Sequence, residues 1–362
     1  MKSKKLALLP PEFDCETVNI LKALAKASRA LGELNGEISK IPNSQILIDT
    51  LALQEAKDSN EVENIVTTDD ELYRASIDYS MASPSAKEAV NYSKALKKGL
   101  EIINRNGILT INHIEEIQSI LAPNHPIRKL PGTTLKNQIT SEVVYTPPQN
   151  YNDIVILLNN FEKYLNDKSF HDVDSLIKMP IIHFQFESIH PFYDGNGRTR
   201  RLINMLYLVQ QKLLKIPVLY LSSFIIRNRA EYYRLLQEVR TENAWENWIV
   251  WMLNGVEQTS RETILVVNKI KKLMDIYKKE IRDNHSFYSH DLINILFKHP
   301  YTKISFLEKE LKVHRHTASS YLNILSETSM SSDPSKKILT KVRIGKSNYY
   351  INEPLLNILK KR

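Results

Sequence analysis

The chain has one cysteine, few glycines and no long hydrophobic stretch. A single cysteine, Cys15, excludes an intrachain disulfide and any zinc site built from several cysteines, and it favours a reducing compartment, so we predict a cytoplasmic protein. No run of about 18 apolar residues occurs, which argues against a membrane-spanning helix. Only 9 glycines among 362 residues, with long stretches rich in Leu, Ile, Lys and Glu, indicate a mostly α-helical protein.

The positive charge lies mainly at the C-terminal end. The chain has a net charge of +8, and residues 286–362 hold 13 basic and 6 acidic residues, a net of +7. The preceding 285 residues are therefore close to neutral. A nucleic-acid partner is consequently a hypothesis for the C-terminal segment alone.

Hydrophobic spacing predicts helices along most of the chain, with one interruption. Residues 122–150 contain a cluster of prolines, and the stretch TTLKNQITSEVVYTPP within them predicts a short β-hairpin. Helices follow at about 172–189 and about 198–215. Two further helices are predicted at about 244–257 and 260–282.

The stretch IHPFYDGNGRTRRL, residues 189–202, contains the strongest functional pattern. His190 is a candidate base, and Asp194 is a candidate ligand for a hard cation. A glycine-rich loop that opens a helix presents free N–H groups to anions, as Gly195–Gly197 would. Arg198 and Arg201 share one helix face and can grip phosphate oxygens. The pattern predicts a nucleotide-dependent transfer site.

These residues closely resemble the Fic family motif, His-Pro-Phe-x-Asp-Gly-Asn-Gly-Arg-x-x-Arg, and all nine fixed positions are met. The resemblance implies a Fic-type helical core with a short β-hairpin flap. It also implies a protein adenylyltransferase, an enzyme that moves AMP from ATP to a Ser, Thr or Tyr hydroxyl of a protein or of itself. The alternative is an ordinary polar loop between helices, which nine matches in register disfavour.

The resemblance assigns a role to each residue of the motif. His190 would take the proton of the attacking hydroxyl, and Asp194 would bind Mg²⁺. The ATP site would consist of Gly195, Asn196, Gly197, Arg198, Arg201 and Tyr233. Arg200 has no family role, and we expect it to face solvent. His183 is expected to be a structural histidine with satisfied hydrogen bonds.

Two further parts of the site follow from the resemblance, each with an open alternative. Val143 and Val144 would form the edge of the flap, which aligns the target segment by strand addition; a plain surface hairpin is the alternative. The pair Tyr232 and Tyr233 resembles tyrosines that line the adenine site in relatives. Two core aromatics on a helix would show the same pattern.

An inhibitory pattern, Ser/Thr-x-x-x-Glu-Gly/Asn, is met upstream by Ser59, Glu63 and Asn64. A Glu63 carboxylate paired with Arg201 would occupy the donors needed by the γ-phosphate of ATP. We therefore predict that Glu63 inhibits the enzyme. A solvated helix glutamate is the alternative.

The last segment shows the order of a winged helix-turn-helix domain, with a closing β-hairpin that turns at Gly345 and Lys346. Outward-facing residues of its third helix could contact DNA; they are Arg315, His316, Ser319 and Asn323. A surface for dimerisation or target docking is the alternative use of such a domain.

The sequence thus predicts a helical N-terminal segment at 1–107, a Fic core at 108–262, a connecting helix at 263–285 and a winged helix domain at 286–362. ATP, a protein bearing a hydroxyl and a second copy of the chain are the expected partners, with no membrane. Two other functions stay open. The protein could remove AMP from a modified protein, or it could be a DNA-binding regulator that senses nucleotide.

Overall fold

The structure, a computed structural model, describes residues 5–136, 140–331, 333–344 and 347–360, with Met81 described by its backbone only. It is mostly helical, as predicted. Residues 137–139 of the predicted flap and the predicted turn at Gly345 and Lys346 lie outside this description. None of the helices within it is long and apolar enough to cross a bilayer.

The chain forms two compact units, each assembled from separate parts of the sequence. The first comprises the described residues of 1–32, 58–66 and 91–260, and the second those of 33–57, 67–90 and 261–362. The helices before the motif are α1 (Val18–Ile38), α2 (Gln45–Val62), α3 (Asp69–Ile77), α4 (Pro84–Asn106), α5 (Ile111–Leu121) and α6 (Tyr151–Asn166). Each predicted domain is one continuous segment of the sequence, unlike these two units, and the predicted boundaries stay a prediction.

The motif lies between two buried helices, and further helices lead into the second unit. They are α7 (Ser175–Ile189), α8 (Asn196–Gln210), α9 (Ser222–Arg227), α10 (Arg229–Glu242) and α11 (Trp245–Asn284). The predicted break within α11 is wrong. The Thr259 hydroxyl bonds to the Gly255 carbonyl one turn earlier, and no proline interrupts the helix.

The core of the first unit surrounds α7, which is buried along its whole length. Apolar side chains occur on every side of α7, unlike on an amphipathic surface helix, and its buried polar residues include His183 and Glu187. It packs against α6 and α8, and α8 packs in turn against α5. The Asp174 side chain caps its first turn by accepting from the Leu176 N–H at 2.7 Å. This packing brings the C-terminal end of α7 close to the N-terminal end of α8.

The flap of the first unit is a short antiparallel pair of strands, β1 (Leu135–Lys136) and β2 (Val143–Tyr145). The remaining elements belong to the second unit. They are α12 (His290–Lys298), β3 (Tyr301–Thr302), α13 (Ile304–Leu311), α14 (Arg315–Glu327), β4 (Ser329–Met330), β5 (Asp333–Lys337), β6 (Thr340–Ile344), β7 (Ser347–Ile351) and α15 (Glu353–Lys360).

Strands of the second unit form two small antiparallel sheets. One has the order β3-β7-β6, with Thr340 opposite Ile351 and Ile344 opposite Ser347. The other pairs β4 with β5. The order of three helices followed by a β6–β7 hairpin is the expected one, and the assignment as a winged helix stays a prediction.

The buried Tyr277 hydroxyl joins α11 to the end of the chain. It lies 2.7 Å from the Ile338 carbonyl and 2.9 Å from Asn352 Oδ1. Removing a hydroxyl that serves buried acceptors costs about 1–3 kcal/mol. We expect Tyr277→Phe to lower the free energy of unfolding by that amount in urea titrations. Tyr288→Phe, which removes a hydroxyl bonded to Arg282 at the surface, is the control and should leave the midpoint nearly unchanged. Equal effects would contradict this account.

Candidate active site

His190 follows directly after α7 and adopts a left-handed backbone conformation, with φ 48° and ψ 58°. Its imidazole is largely buried, and Nδ1 has no hydrogen-bond partner among the described residues. Burial lowers the pKa of His190 below the ordinary imidazole value; Glu187 opposes this shift, and Arg128 and Arg200 add to it. The ring is therefore neutral near pH 7, as a general base must be.

The loop between α7 and α8 is held by its own side chains. Gly195 caps α8 with φ 77°, a conformation that favours glycine. The Asn196 amide donates to the Phe192 carbonyl and accepts from the Phe192 N–H, both at 2.8 Å. Asn196 thus uses its side chain to fix the loop. No side-chain cap occupies the N-terminal end of α8 within the described structure, which leaves its N–H groups suited to an anion.

Asp194 is the carboxylate of the loop, and its side chain is 51% exposed. One oxygen accepts from the Gly195 N–H at 2.6 Å, and both lie 3.4 Å from the Arg198 guanidinium. Within the described part of the chain, no three His, Cys, Asp or Glu residues cluster as a metal site. A single exposed carboxylate fits Mg²⁺, which keeps most of its water and is shared with substrate phosphates.

Arg201 is buried and bound to the end of α2. Its Nε donates to the Ser59 hydroxyl at 2.7 Å, and its Nη2 donates to the Ser59 carbonyl at 2.8 Å and to Glu63 Oε1 at 2.7 Å. Burial would raise the pKa of Glu63, but the positive charges of Arg201 and Arg198 outweigh it and lower that pKa. The carboxylate is therefore ionised and paired at neutral pH.

Glu63 also lies directly against the glycine loop. A methyl group added to Gly197 would collide with Glu63 Oε1. The next residue, Asn64, has a φ of 62°, and its side chain accepts from Arg229 at 2.7 Å. Glycine and asparagine are the residues that most readily adopt this left-handed conformation, which explains their alternation at this position of the inhibitory pattern.

The expectation that Arg200 faces solvent is wrong. Arg200 is 3% exposed, forms an ion pair with Glu187 of α7 and lies over the ring of Tyr232. A buried guanidinium requires such acceptors because its desolvation is costly. The pair joins α7 to α8 next to the catalytic candidates.

The two adjacent tyrosines of α10 have different environments. Tyr232 is fully buried, and its hydroxyl lies 3.0 Å from His183 Nε2. His183 also contacts Asn204 at 2.7 Å, so it has the satisfied hydrogen bonds expected of a structural histidine. Tyr233 is 45% exposed and lies beneath Arg229. Tyr233 alone therefore has a ring face accessible to a ligand.

The flap places its predicted edge at the surface. Val143 and Val144 are 53% and 43% exposed. The next residue, Tyr145, is anchored: its hydroxyl donates to the Ser188 carbonyl at 3.0 Å, and Arg240 lies over its ring. The flap thus has an exposed apolar edge at Val143 and Val144, and it is anchored to the first unit at Tyr145.

The predicted DNA contacts lie on α14 of the second unit. Arg315 and His316 are exposed, and Ser319 is half-buried. The side-chain oxygen Oδ1 of Asn323 accepts from Lys341 at 2.7 Å and from the Tyr350 hydroxyl at 2.8 Å. Asn323 is thus engaged within the unit.

Three family models match the chain. The Fic/DOC family model matches residues 108–208 and contains the whole loop. The chain belongs to the Fic/DOC family. The Fic/DOC family N-terminal model matches residues 21–101, and the model of the C-terminal domain of SoFic-like protein adenylyltransferases matches residues 273–355.

Curated relatives of this Fic/DOC protein are named protein adenylyltransferases. Protein adenylyltransferase Fic of Aedes aegypti is 35% identical over 106 residues, which span 28% of this chain and 20% of the relative. A probable protein adenylyltransferase of Aquifex aeolicus is 27% identical over 235 residues, 64% of this chain and 65% of the relative. The chain thus spans less than two thirds of these relatives' length.

Solved structures share the fold at low sequence identity. A Fic family protein from Desulfovibrio desulfuricans G20 superposes with a TM-score of 0.61 and 18% identity, over 95% of this chain and 98% of that one. Fic-1 of C. elegans superposes with a TM-score of 0.52 and 20% identity, over 70% and 74% of the two chains. The Fic fold therefore extends over most of this chain.

The buried Arg200–Glu187 pair yields a stability prediction. Arg200→Met would leave the Glu187 carboxylate buried and unpaired, so we expect a loss of about 3–5 kcal/mol in the free energy of unfolding. Arg234→Met is the matched control, because Arg234 forms its ion pairs with Glu231 and Glu238 at the surface. Thermal and urea unfolding would compare the two variants. Similar losses of unfolding free energy in the two variants would show that burial does not make the Arg200–Glu187 pair more important for stability than a surface pair.

Proposed function

We propose that this protein transfers AMP from ATP to a hydroxyl group of a protein. The observation that carries the proposal is the position of a neutral, largely buried His190 beside a helix N-terminus with buried arginines. The family match and the names of the relatives support the same reaction class. A single cysteine and an ATP-dependent reaction favour the cytoplasm.

The proposed reaction uses ATP held at the N-terminal end of α8. The Gly195–Gly197 loop binds phosphate oxygens through the N–H groups that open α8, since the Gly195 N–H itself donates to Asp194, while Arg198 and Arg201 neutralise the phosphate charge. Asp194 would hold Mg²⁺, which neutralises phosphate charge when bound. His190 removes the proton of the target hydroxyl, whose oxygen bonds to the α-phosphorus. The bond from that phosphorus to the bridging oxygen breaks, and pyrophosphate leaves.

The remaining residues of the site complete the proposal. The exposed ring of Tyr233 would contact the adenine base. Val143 and Val144 would pair with an extended target segment, because their strand has an exposed apolar edge. Asn196 would contribute by fixing the loop, since its amide is bonded to Phe192.

We further propose that Glu63 inhibits the reaction. Its carboxylate occupies Arg201 and lies against Gly197, where a phosphate of ATP would otherwise be held. Ser59 completes the inhibitory contact by accepting from Arg201 Nε. ATP would then bind with its α-phosphorus displaced from the line of attack. A second copy of the chain could relieve inhibition by moving the end of α2.

Two alternatives have different support. Removal of AMP would use the same base and loop and is distinguished by the product. DNA binding is favoured by the exposed Arg315 and His316 but disfavoured by Asn323, whose side-chain Oδ1 is bonded to Lys341 and Tyr350. AMP transfer therefore remains the function we propose.

Removal of the inhibitory carboxylate tests the proposal. We expect Glu63→Gly to raise AMP transfer at least about tenfold, because a charge-assisted hydrogen bond that competes with substrate is worth about 1.5–3 kcal/mol. The measurement is incubation with α-labelled ATP and Mg²⁺, followed by intact mass for a +AMP adduct on the protein or on a lysate target.

Two controls accompany this experiment. Glu63→Gly/His190→Ala should form no adduct, which assigns the transfer to the base. Glu61→Gly removes an exposed carboxylate two residues earlier, in the last turn of α2, and should leave the wild-type rate unchanged. An adduct that persists without His190 would refute the mechanism. No adduct in Glu63→Gly, with AMP loss from a modified protein instead, would favour the removal reaction.

The pKa shifts predict the pH dependence. His190 has a lowered pKa, so the rate of Glu63→Gly should fall only below about pH 6.5, as the imidazole gains a proton. Glu63 also has a lowered pKa, so its pair with Arg201 is present above the ordinary carboxyl pKa and is lost as the pH falls through the lowered value. The rate ratio of Glu63→Gly to wild type should therefore stay constant from about pH 7 to 8, above the range in which His190 gains a proton. A ratio that approaches one at about pH 7 would contradict the ion pair.

A further inference from the structure

A short segment before the flap runs antiparallel to the loop that follows the base. Ile127 and Phe192 form a bridge between the two. The Arg128 N–H donates to the Pro191 carbonyl at 2.8 Å, and the Tyr193 N–H donates to the Pro126 carbonyl at 3.3 Å. The motif loop is therefore supported along its length by residues 126–128.

The Arg128 side chain binds the end of the helix that carries the base. It is fully buried. Its Nε donates to the His190 carbonyl at 2.7 Å, and its Nη2 donates to the Ile189 carbonyl at 3.2 Å and the Pro148 carbonyl at 3.1 Å. The terminal carbonyls of a helix lack intrahelical partners and carry partial negative charge, so a buried cation is stabilised there.

The backbone of His190 needs this support. A positive φ is unfavourable for a residue with a side chain, and a residue before proline is restricted further. His190 precedes Pro191 and has a φ of 48°. Such conformations are strained and persist only where surrounding contacts hold them. Arg128 holds the carbonyl of His190 itself, so it sets the direction in which the imidazole leaves the chain.

The same guanidinium also holds the flap. Pro148 lies just after β2, and the nitrogen that bonds its carbonyl also bonds the carbonyl of Ile189. One side chain thus links the strand that would align the target to the helix that carries the base. A shift of Arg128 would change the distance between the target hydroxyl and the imidazole.

We propose that Arg128 is a positioning residue for AMP transfer, which fixes His190 relative to the phosphate loop and to the flap. This proposal rests on the proposed function. It assigns Arg128 no contact with ATP, so its loss should change the chemical step and leave nucleotide binding intact. A residue that only stabilises the fold would lower both together.

The test uses Arg128→Lys and Arg128→Met in the Glu63→Gly background. Lys129→Met is the matched control, because Lys129 is the exposed neighbour in sequence. We expect both Arg128 variants to lower kcat about 10- to 100-fold, since a misplaced base is costly and an ammonium cannot reproduce the planar fork of hydrogen bonds. The KM for ATP should change less than about twofold, because the variants do not touch the nucleotide.

The pH profile separates the charge of Arg128 from its geometry. The charged groups that face His190 are Glu187, Arg128 and Arg200, with Glu63 absent from this background. Arg128→Met removes a positive charge and should move the acid limb of kcat to higher pH. Arg128→Lys keeps the charge, so its acid limb should stay in place while kcat remains low.

Several outcomes would overturn the proposal. The first is an unchanged kcat in both Arg128 variants. The second is a fall in kcat accompanied by an equal loss of ATP affinity and, in calorimetry, an equal loss of folded protein. NMR of labelled histidine gives a readout independent of transfer. The His190 resonances should move in both variants while those of His183 stay, and an unmoved His190 would refute the positioning role. If Glu63→Gly itself forms no adduct, the proposed function fails, and the NMR result still decides the role of Arg128.

Discussion

Three arginines in the first turns of α8 are buried, and the burial of these cations constrains the surrounding structure. A desolvated guanidinium must find acceptors, and those acceptors come from different parts of the sequence. Arg198 reaches Asp194 within the loop, Arg200 reaches Glu187 on α7, and Arg201 reaches the end of α2. These contacts hold the loop, α7 and the Glu63 carboxylate around the N-terminal end of α8. The electrostatics of α8 thus organise the candidate site and hold Glu63 within it.

The sequence pattern predicts a helix or strand well where that element depends on residues close to it along the chain. α7 was expected at about 172–189 and spans Ser175–Ile189, because its apolar run and its Asp174 cap are local features. α8 was expected to reach about residue 215 but ends at Gln210, since Lys212 turns the chain with a φ of 59°. β4 and β5 were not expected, because residues such as those in DPSKK are typical of loops and pair here only through tertiary context.

Side-chain partners across the fold could not be read from spacing alone. The phosphate contact that the resemblance implies for Asn196 stays a prediction, and spacing does not indicate that its amide bonds to the Phe192 backbone. Arg200 was expected in solvent because the motif leaves its position free, and its partner Glu187 lies on another helix. Arg128 has no distinguishing pattern in the sequence, because a lone arginine among prolines does not indicate bonds to carbonyls 61 and 62 residues away. Such contacts depend on how helices meet, which single-sequence periodicity does not specify.

The two ends of the site differ in how ready they are for catalysis. At the His190 end, Arg128 and the Ile127–Phe192 bridge hold His190 in a demanding backbone conformation, so the proposed proton transfer would need little rearrangement. At the phosphate end, a carboxylate of the same chain already satisfies Arg201. A ligand that displaces an ion pair binds more weakly, because part of its binding free energy is used to break that pair. No contact has to be broken for His190 to reach its position. In the reaction proposed here, control of activity would act most directly on the Glu63–Arg201 contact, and it could do so without disturbing the geometry of His190.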